Sequence, residues 1–212
     1  MTAPISESWT RIENWPAAHA PTTCAAPAPP ADPADIAATE RDIGRPLPKP
    51  LVVSLLRHDG LGYQGGSLLP GSYRPIGARR IADEWRLFTG FYDRLTAEEM
   101  GDDEADFDFM GMGFSSVLYG HPRLIPIAQD VGEGYLVLDQ RPEIDRGRVH
   151  QAEATDGVRR GSQEAWASVP GLMETVAASL ETGRPVDHFT PEVDQGDPAF
   201  LSGAAARAAG HA

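Results

Sequence analysis

The sequence is poor in cysteine and has no long apolar runs. Cys24 is the single cysteine among 212 residues, which excludes an internal disulfide or a cysteine-cluster zinc site and agrees with a reducing compartment. No apolar stretch approaches the roughly 18 residues that a membrane helix requires. Met1 to Trp15 carries one basic side chain, Arg11, and no apolar block, so it lacks both parts of a secretory signal. We therefore expect a cytoplasmic protein without a membrane partner.

Basic residues are also scarce. Lysine and arginine number 18 against 31 acidic residues, the net charge is −13, and Lys49 is the one lysine. Affinity for nucleic acid depends on cationic side chains that displace counterions, so an acidic surface repels phosphate backbones. Nucleic acid is therefore not expected as a partner, whereas a basic protein fits this charge.

The length and the 41% hydrophobic content predict one medium-sized domain with appended tails. Ile5, Trp9 and Ile12 have helical spacing, which predicts a helix within residues 1–15 that ends before Pro16. The proline- and alanine-rich residues 16–32 indicate a linker. The main domain is predicted to span 33–189, and the Asp, Gly and Ala composition predicts a disordered tail over 190–212.

Helices are predicted at several positions of the main domain. Asp32 before Pro33, with Gly44 after the apolar positions, indicates a helix from Pro33 to Ile43. The apolar run 51–56 fits a buried helix or a buried strand by its period alone. Further helices are expected around 81–88 and from Pro170 to Gly183.

Strand patterns cluster in the second half of the chain. Residues 124–129, 134–139 and 147–152 are strand candidates, and their short spacers favour an antiparallel meander. A further strand with a turn at Pro70-Gly71 is expected over 65–75. Helices and strands in this order predict an α+β fold, in which a mostly antiparallel sheet packs with helices.

One glycine-rich segment matches a cofactor motif. Gly60, Gly62 and Gly65 have G-x-G-x-x-G spacing after an apolar run. A dinucleotide site needs a helix directly after these glycines, and the prolines and glycine at 70, 71 and 75 oppose one. We interpret the segment as a turn into a strand, and a nucleotide-binding enzyme that uses Gly60–Gly65 is the less favoured alternative.

Other chemical motifs are incomplete. The segment Gly113–Val117 resembles a nucleophile elbow, but Val117 replaces the closing glycine. The six histidines never have zinc-binding spacing, and Glu104–Asp108 begins like a calcium loop that then lacks its glycine and its glutamate. We therefore assign no catalytic residue, no metal ligand and no cofactor.

Short segments spread over most of the chain form a recognisable pattern when they are taken in order. They are Trp9-x-x-Ile12-Glu13-x-Trp15, Glu40-x-x-Ile43-Gly44-x-x-Leu47-Pro48-x-x-Leu51, Asp59-Gly60, Leu124–Asp130, Gly134–Asp139, Gly147-Arg148-Val149 and Ala165–Ser168. Together they resemble the SUKH superfamily, whose members are similar to fungal cell-wall-assembly regulators of the Smi/Knr type. The resemblance covers about Ser6 to Gly183.

The resemblance implies a single α+β domain without a catalytic residue set. Many bacterial members look like immunity proteins that neutralise toxins, and fungal members are scaffold-like regulators of wall synthesis. It also implies that the 51–57 run is a helix. The chain departs from the usual pattern at Gly132-Glu133-Gly134 and in a long acidic insertion before Gly120.

The acidic insertion is the predicted partner-binding surface. Residues 91–120 show no sustained period and are expected to form an exposed loop. The residues assigned to the interface are Asp102, Asp103, Glu104, Asp106 and Asp108, with Trp85 and Tyr92 as apolar anchors. The predicted function is non-enzymatic binding of a basic toxin domain, and a regulatory scaffold is the alternative.

Overall fold

The computed structural model describes ten stretches of the chain: residues 3–19, 28–61, 68–99, 114–115, 119–132, 134–142, 146–154, 157–159, 167–194 and 197–202. Within them lie five helices, α1 (Ile5–His19), α2 (Pro33–Asp42), α3 (Lys49–Leu55), α4 (Ala78–Glu99) and α5 (Val169–Thr182). The strands are β1 (Arg74–Pro75), β2 (Phe114–Ser115), β3 (Leu124–Gln129), β4 (Tyr135–Asp139), β5 (Val149–Glu153), β6 (Gly157–Arg159), β7 (Phe189–Asp194) and β8 (Asp197–Ser202).

An antiparallel sheet lies at the centre of the domain. Across the described residues its strand order is β1-β3-β4-β5-β6-β2, and each neighbouring pair is antiparallel. The predicted α+β class and the meander of β3, β4 and β5 are confirmed. The strands β2 and β6 were not predicted, because segments of two and three residues are too short to show a period.

Both faces of the sheet are buried. Alternate side chains of each strand point to opposite sides of the sheet, so neighbouring residues enter two different cores. Ile125, Leu136 and Leu138 belong to the larger core, which also holds the apolar faces of α1, α3 and α5. Leu124, Tyr135, Val137, Ala152 and Val158 belong to a smaller core with Tyr119. Helix α4 contributes Ile81 to the larger core and Phe88 to the smaller one.

The helices pack around this sheet as their apolar positions require. Asp32 caps α2 by accepting a hydrogen bond of 2.8 Å from the Ala34 N–H, and Gly44 has a φ of +70° just after the helix. The 51–56 run is the helix α3, and α5 begins and ends as predicted. None of the helices in the described ranges combines the length and the apolar character needed to cross a membrane.

The first helix is longer than predicted, and the linker is shorter. Helix α1 continues through Pro16 to His19, so the proline does not end it. At the other end of the predicted linker, the Ala31 N–H donates to the Leu55 oxygen at 2.9 Å. Residues 28–32 therefore pack on α3 instead of serving as a free tether.

The predicted loop over 91–120 is corrected at its start, where residues 91–99 belong to α4. Good helix formers such as Leu95, Ala97 and Glu98 extend the helix although they lack an apolar period. The acidic residues assigned to the interface lie in 100–113, outside the described residues.

The predicted disordered tail is also corrected. Residues 189–202 contain the antiparallel hairpin β7–β8, and residues 203–212 lie outside the described part. Phe200 is fully buried in the larger core, so this hairpin is held by an aromatic side chain. The tail was predicted from its average composition, which does not depend on any one aromatic residue. Gly196, between the two strands, is a turn residue from which the hairpin could have been predicted.

Candidate functional site

The predicted acidic interface lies between α4 and β2 along the chain. Asp102, Asp103, Glu104, Asp106 and Asp108 lie in the connection from α4 to β2, outside the described residues. Strand β2 is the edge strand next to β6. Tyr92 lies in α4, but its side chain is not among those described. These assignments remain predictions.

Trp85 has a structural role within α4. Its ring is half-buried against the larger core, and its indole N–H donates to the Pro122 oxygen at 3.0 Å. Only the exposed part of this ring is available to a partner. Leu87, on the same helix, has 62% of its surface exposed and was not predicted. It lacked a sequence signal because a lone apolar residue on a helix does not show which way it faces.

A cavity lies at the opposite edge of the sheet, beside β1. Its volume is about 300 Å³. Its apolar wall consists of Leu61, Pro75, Ile76 and Val131, and the remaining lining residues are Arg74, Gly77, Arg80, Gln129 and Asp130. Four separate segments of the chain contribute to it, so no local sequence pattern could have predicted it.

A polar network holds Arg80 at this cavity. Its Nε donates to Glu84 Oε1 at 3.1 Å, and one of its terminal nitrogens donates to Gln129 Oε1. The Tyr135 hydroxyl donates to Glu84 Oε2 at 2.7 Å. Glu84 and Tyr135 are buried, so the guanidinium is fixed from behind by groups that cannot move freely.

The turn between β3 and β4 forms the rim of the cavity. Asp130 Oδ1 accepts hydrogen bonds from the N–H groups of Gly132 at 2.7 Å and Gly134 at 2.8 Å. The carboxylate thus closes the turn as an Asx motif. Val131 at the tip is 84% exposed.

The glycine motif has a structural explanation at its first position. Gly60 has a φ of +80°, and a Cβ there would lie 2.6 Å from the Gly77 nitrogen. Asp59 next to it accepts a hydrogen bond of 2.6 Å from the Ala78 N–H and so caps α4. Gly62 and Gly65 lie outside the described residues.

The segment that follows the glycines differs from the predicted strand over 65–75. Residues 65–67 lie outside the described part, Leu69 and Tyr73 bridge a turn at Gly71, and the strand itself covers only Arg74 and Pro75. The turn predicted at Pro70-Gly71 is present, with a φ of +82° at Gly71.

The longest of the family-like motifs, Glu40 to Leu51, contains a hydrogen bond from the backbone to a side chain that fixes a loop. Glu40 Oε1 accepts a hydrogen bond of 2.9 Å from the Leu47 N–H, which closes the loop between α2 and α3. Ile43 and Leu47 are buried in the larger core, and the Gly44 turn between them needs positive φ. The motif thus specifies a loop conformation.

Glu40→Ala is expected to destabilise the fold by about 1–2 kcal/mol, because the buried Leu47 N–H loses a charged acceptor. Glu40→Gln keeps an oxygen at the same distance and should restore most of this loss. Urea unfolding followed by circular dichroism measures both variants. Equal loss of stability in the two variants would show that the loop hydrogen bond is not what Glu40 contributes.

A histidine, a carboxylate and a hydroxyl meet where α1 crosses α3. His58 Nε2 lies 2.6 Å from Glu13 Oε1, and its Nδ1 lies 2.9 Å from the Ala28 oxygen. The Ser54 hydroxyl instead accepts the indole N–H of Trp9 at 2.9 Å. Both ring nitrogens therefore face oxygen acceptors other than Ser54, whereas a nucleophile–base pair would need a hydrogen bond between His58 and Ser54.

This cluster fastens α1 to the domain. Arg57 donates to both oxygens of Glu13, at 2.7 and 2.6 Å. The hydrogen bond from Arg57 lowers the pKa of Glu13; burial opposes that effect, and His58 adds to it. On the other flank of α1, Arg11 bridges Glu174 and Glu181 on α5.

A second ionic cluster is buried at the end of β4. Asp139 is fully buried and accepts hydrogen bonds from the Arg141 backbone N–H at 2.8 Å and from its guanidinium at 2.7 Å. His150 Nε2 lies 3.5 Å from Asp139 Oδ2. Burial alone would raise the pKa of Asp139, but the interactions with His150 and Arg141 outweigh it and hold the pKa well below its ordinary value.

Comparison with models of known protein families matches residues 30–182 to the SMI1 / KNR4 family (SUKH-1). The match covers more than two thirds of the chain and includes Glu40, Asp59-Gly60, the β1 cavity and the Asp139 cluster. Helix α1 and the β7–β8 hairpin lie outside it. No curated protein matches the chain.

Proposed function

This chain belongs to the SMI1 / KNR4 family (SUKH-1), and from that premise we propose that it is a non-enzymatic protein-binding domain that neutralises a basic toxin. Membership is consistent with immunity roles and with Smi1/Knr4-like roles. The observation that favours a toxin is the charge: the net charge is −13, and residues 98–108 contain seven acidic residues and no basic one.

The proposed contact uses electrostatic attraction. Enzymes that cut nucleic acids need cationic surfaces to hold their substrates, so an acidic inhibitor accelerates encounter and then excludes the substrate. The proposed contact residues are Asp102, Asp103, Glu104, Asp106 and Asp108. Trp85 and Tyr92 are retained as apolar anchors.

Reversing two of these charges should slow association. Asp103→Lys with Asp106→Lys raises the net charge from −13 to −9, and we expect the association rate with the cognate partner to fall about tenfold at low salt. The dissociation rate should change little, since steering acts on encounter. Surface plasmon resonance over a salt series, with the partner purified after co-purification from native cells, measures both rates.

The matched control reverses Glu7 and Glu153, which are exposed and lie outside the acidic segment 98–108. It changes the net charge by the same amount, so its effect reports the overall field alone. Equal slowing by the two double variants would reject the acidic segment as the contact surface. A partner without a basic surface would reject the electrostatic proposal itself.

The second candidate function is regulation of cell-envelope assembly, favoured by the family to which the chain is matched. The same purification distinguishes the two candidates. A toxin domain whose activity the chain abolishes at equal molar ratio supports immunity. A set of the cell's own envelope enzymes whose activity persists in the complex supports a scaffold instead.

A further inference from the structure

We infer that Pro191 prevents the outer edge of β7 from pairing with the same edge of a second copy of the chain. Across the described residues, β7 and β8 form a two-stranded sheet that is separate from the central one. Strand β7 therefore has an outer edge that faces away from β8. Open edges of this kind pair readily with other chains, and proteins protect them with prolines or charged side chains.

Hydrogen bonds at the start of β7 show which of its residues face the outer edge. The Phe189 N–H donates to the Val186 oxygen, and the Phe189 oxygen accepts the Val186 N–H, both at 2.9 Å. The backbone groups of Phe189 therefore point away from Ser202, its partner on β8. Residues with outward and inward backbone groups alternate along an antiparallel strand. Because the register is continuous, Pro191 and Val193 face outward as well.

The register at the other end of β7 gives the same alternation. Asp194 pairs with Asp197, so two residues connect the strands. The first and last residues of such a four-residue turn are joined by a hydrogen bond, so the backbone groups of Asp194 point towards β8. Val193, one position earlier, then faces outward. The N–H group that Pro191 lacks is consequently absent from the outer edge, and the proline removes no bond between β7 and β8.

Two copies that paired along this whole edge would meet with Pro191 opposite Pro191. A two-fold axis through that residue places Phe189 of one copy opposite Val193 of the other. The central residue of such a pair normally exchanges two N–H···O bonds with its symmetry mate, and proline can donate neither of them. Phe189 already donates its N–H within its own chain. Val193 is the one outward residue of β7 that could donate, so this pairing lacks most of its hydrogen bonds.

Net charge does not protect this edge in the same way. The charge of −13 repels a second copy at long range, but salt screens this repulsion within about 8 Å under physiological conditions. The side chain of Val193 is apolar and 44% exposed, so contact here would bury apolar surface. The missing donor at Pro191 acts at contact distance, where screening does not weaken it.

Pro191→Thr tests the inference in the full chain. It supplies one N–H in each copy and leaves the bonds between β7 and β8 in place, and threonine favours strands. We expect the self-association constant to rise about thirtyfold over that of the wild type, as two added hydrogen bonds allow. Sedimentation equilibrium over a wide concentration range measures it, in enough salt to screen the net charge. Hydrogen exchange should show that the Val193 amide becomes more protected as the concentration of the variant rises.

Three further variants supply the contrast. Pro46→Thr replaces an exposed proline outside the hairpin and should self-associate as the wild type does. Adding Val193→Lys to Pro191→Thr should return self-association to the wild-type level, because a lysine on an open edge opposes strand pairing. Pro191→Ala supplies the same N–H on a weaker strand former, so it should act in the same direction as Pro191→Thr. It keeps the test valid if threonine disturbs the hairpin.

Three results would overturn the inference. They are self-association of both Pro191 variants equal to that of the wild type, an equal rise in Pro46→Thr, and association without added protection of the Val193 amide. The outcome does not depend on the proposed toxin contact, because the measurement uses this chain alone.

Discussion

Gly60→Ala is expected to destabilise the domain by about 2–5 kcal/mol. A φ of +80° costs an L-residue about 1–2 kcal/mol, and overpacking adds about 1–3 kcal/mol. The added Cβ would lie 2.6 Å from the Gly77 nitrogen and 2.8 Å from the Ile76 carbonyl carbon, which are backbone atoms that cannot rotate away. Chemical denaturation followed by tryptophan fluorescence measures the loss.

Gly44→Ala separates the two causes. Gly44 also has a positive φ, of +70°, but no atom lies within 4 Å of its added Cβ. Gly44→Ala should destabilise the fold by only about 1–2 kcal/mol, which is the cost of the backbone conformation alone. If both variants lose the same stability, the close approach of Gly60 to the start of α4 does not constrain the fold.

Asp139→Asn is expected to cost about 3–5 kcal/mol, because it removes the buried carboxylate charge that pairs with the Arg141 guanidinium. The side chain of Arg141 is only 10% exposed, so water cannot replace the carboxylate. Thermal and urea unfolding at neutral pH measure the loss. The control is Asp83→Asn: Asp83 pairs with Arg86 at the surface, where an ion pair contributes little, and this variant should stay within about 0.5 kcal/mol of the wild type.

The same substitution should change the acid sensitivity of the protein. The pKa of Asp139 is lower in the folded state than in the unfolded state. At pH values above the unfolded-state pKa, the ionised carboxylate therefore contributes its full stabilisation of the fold. This stabilisation is lost as the pH falls through the folded-state pKa. The free energy of unfolding should therefore depend less steeply on pH in Asp139→Asn, between about pH 5 and pH 2.

Part of the pH dependence should survive in that variant. Hydrogen bonds from Arg57 to Glu13 and from Arg11 to Glu181 also lower the pKa values of those carboxyl groups. They lie on the flanks of α1, far along the chain from Asp139. A slope identical to that of the wild type would mean that Asp139 does not ionise differently in the folded and unfolded states.

The residues that carry the family pattern mostly shape the backbone. Glu40 closes the loop before α3, Asp59 caps α4, and Gly60 permits the close contact with Gly77. These roles explain why the pattern identifies the fold without identifying a partner.

The elements predicted best from the sequence are those with local signals. The strands β3 and β4 are short apolar runs, short spacers join β3, β4 and β5, and α2 and α5 carry caps at both ends. The elements predicted worst are held by distant contacts. Phe200 anchors the β7–β8 hairpin in the larger core, which is formed by residues from other elements. Helix α4 extends to Glu99, beyond the residues that show an apolar period.

The candidate sites also differ in whether their residues are close together in the sequence. The acidic segment is visible in the sequence because its residues are consecutive. The β1 cavity joins Leu61, Arg74, Arg80 and Gln129 from four segments, and the Glu13–His58 contact spans 45 positions.

The sequence by itself determined the α+β class, the antiparallel meander, the helix caps and the acidic character, because period, capping residues and charge act over a few neighbouring positions. Only the tertiary structure decided which charges are buried, where a cavity forms and which glycine cannot accept a side chain. Each of these depends on atoms far apart along the chain, and only packing brings those atoms together.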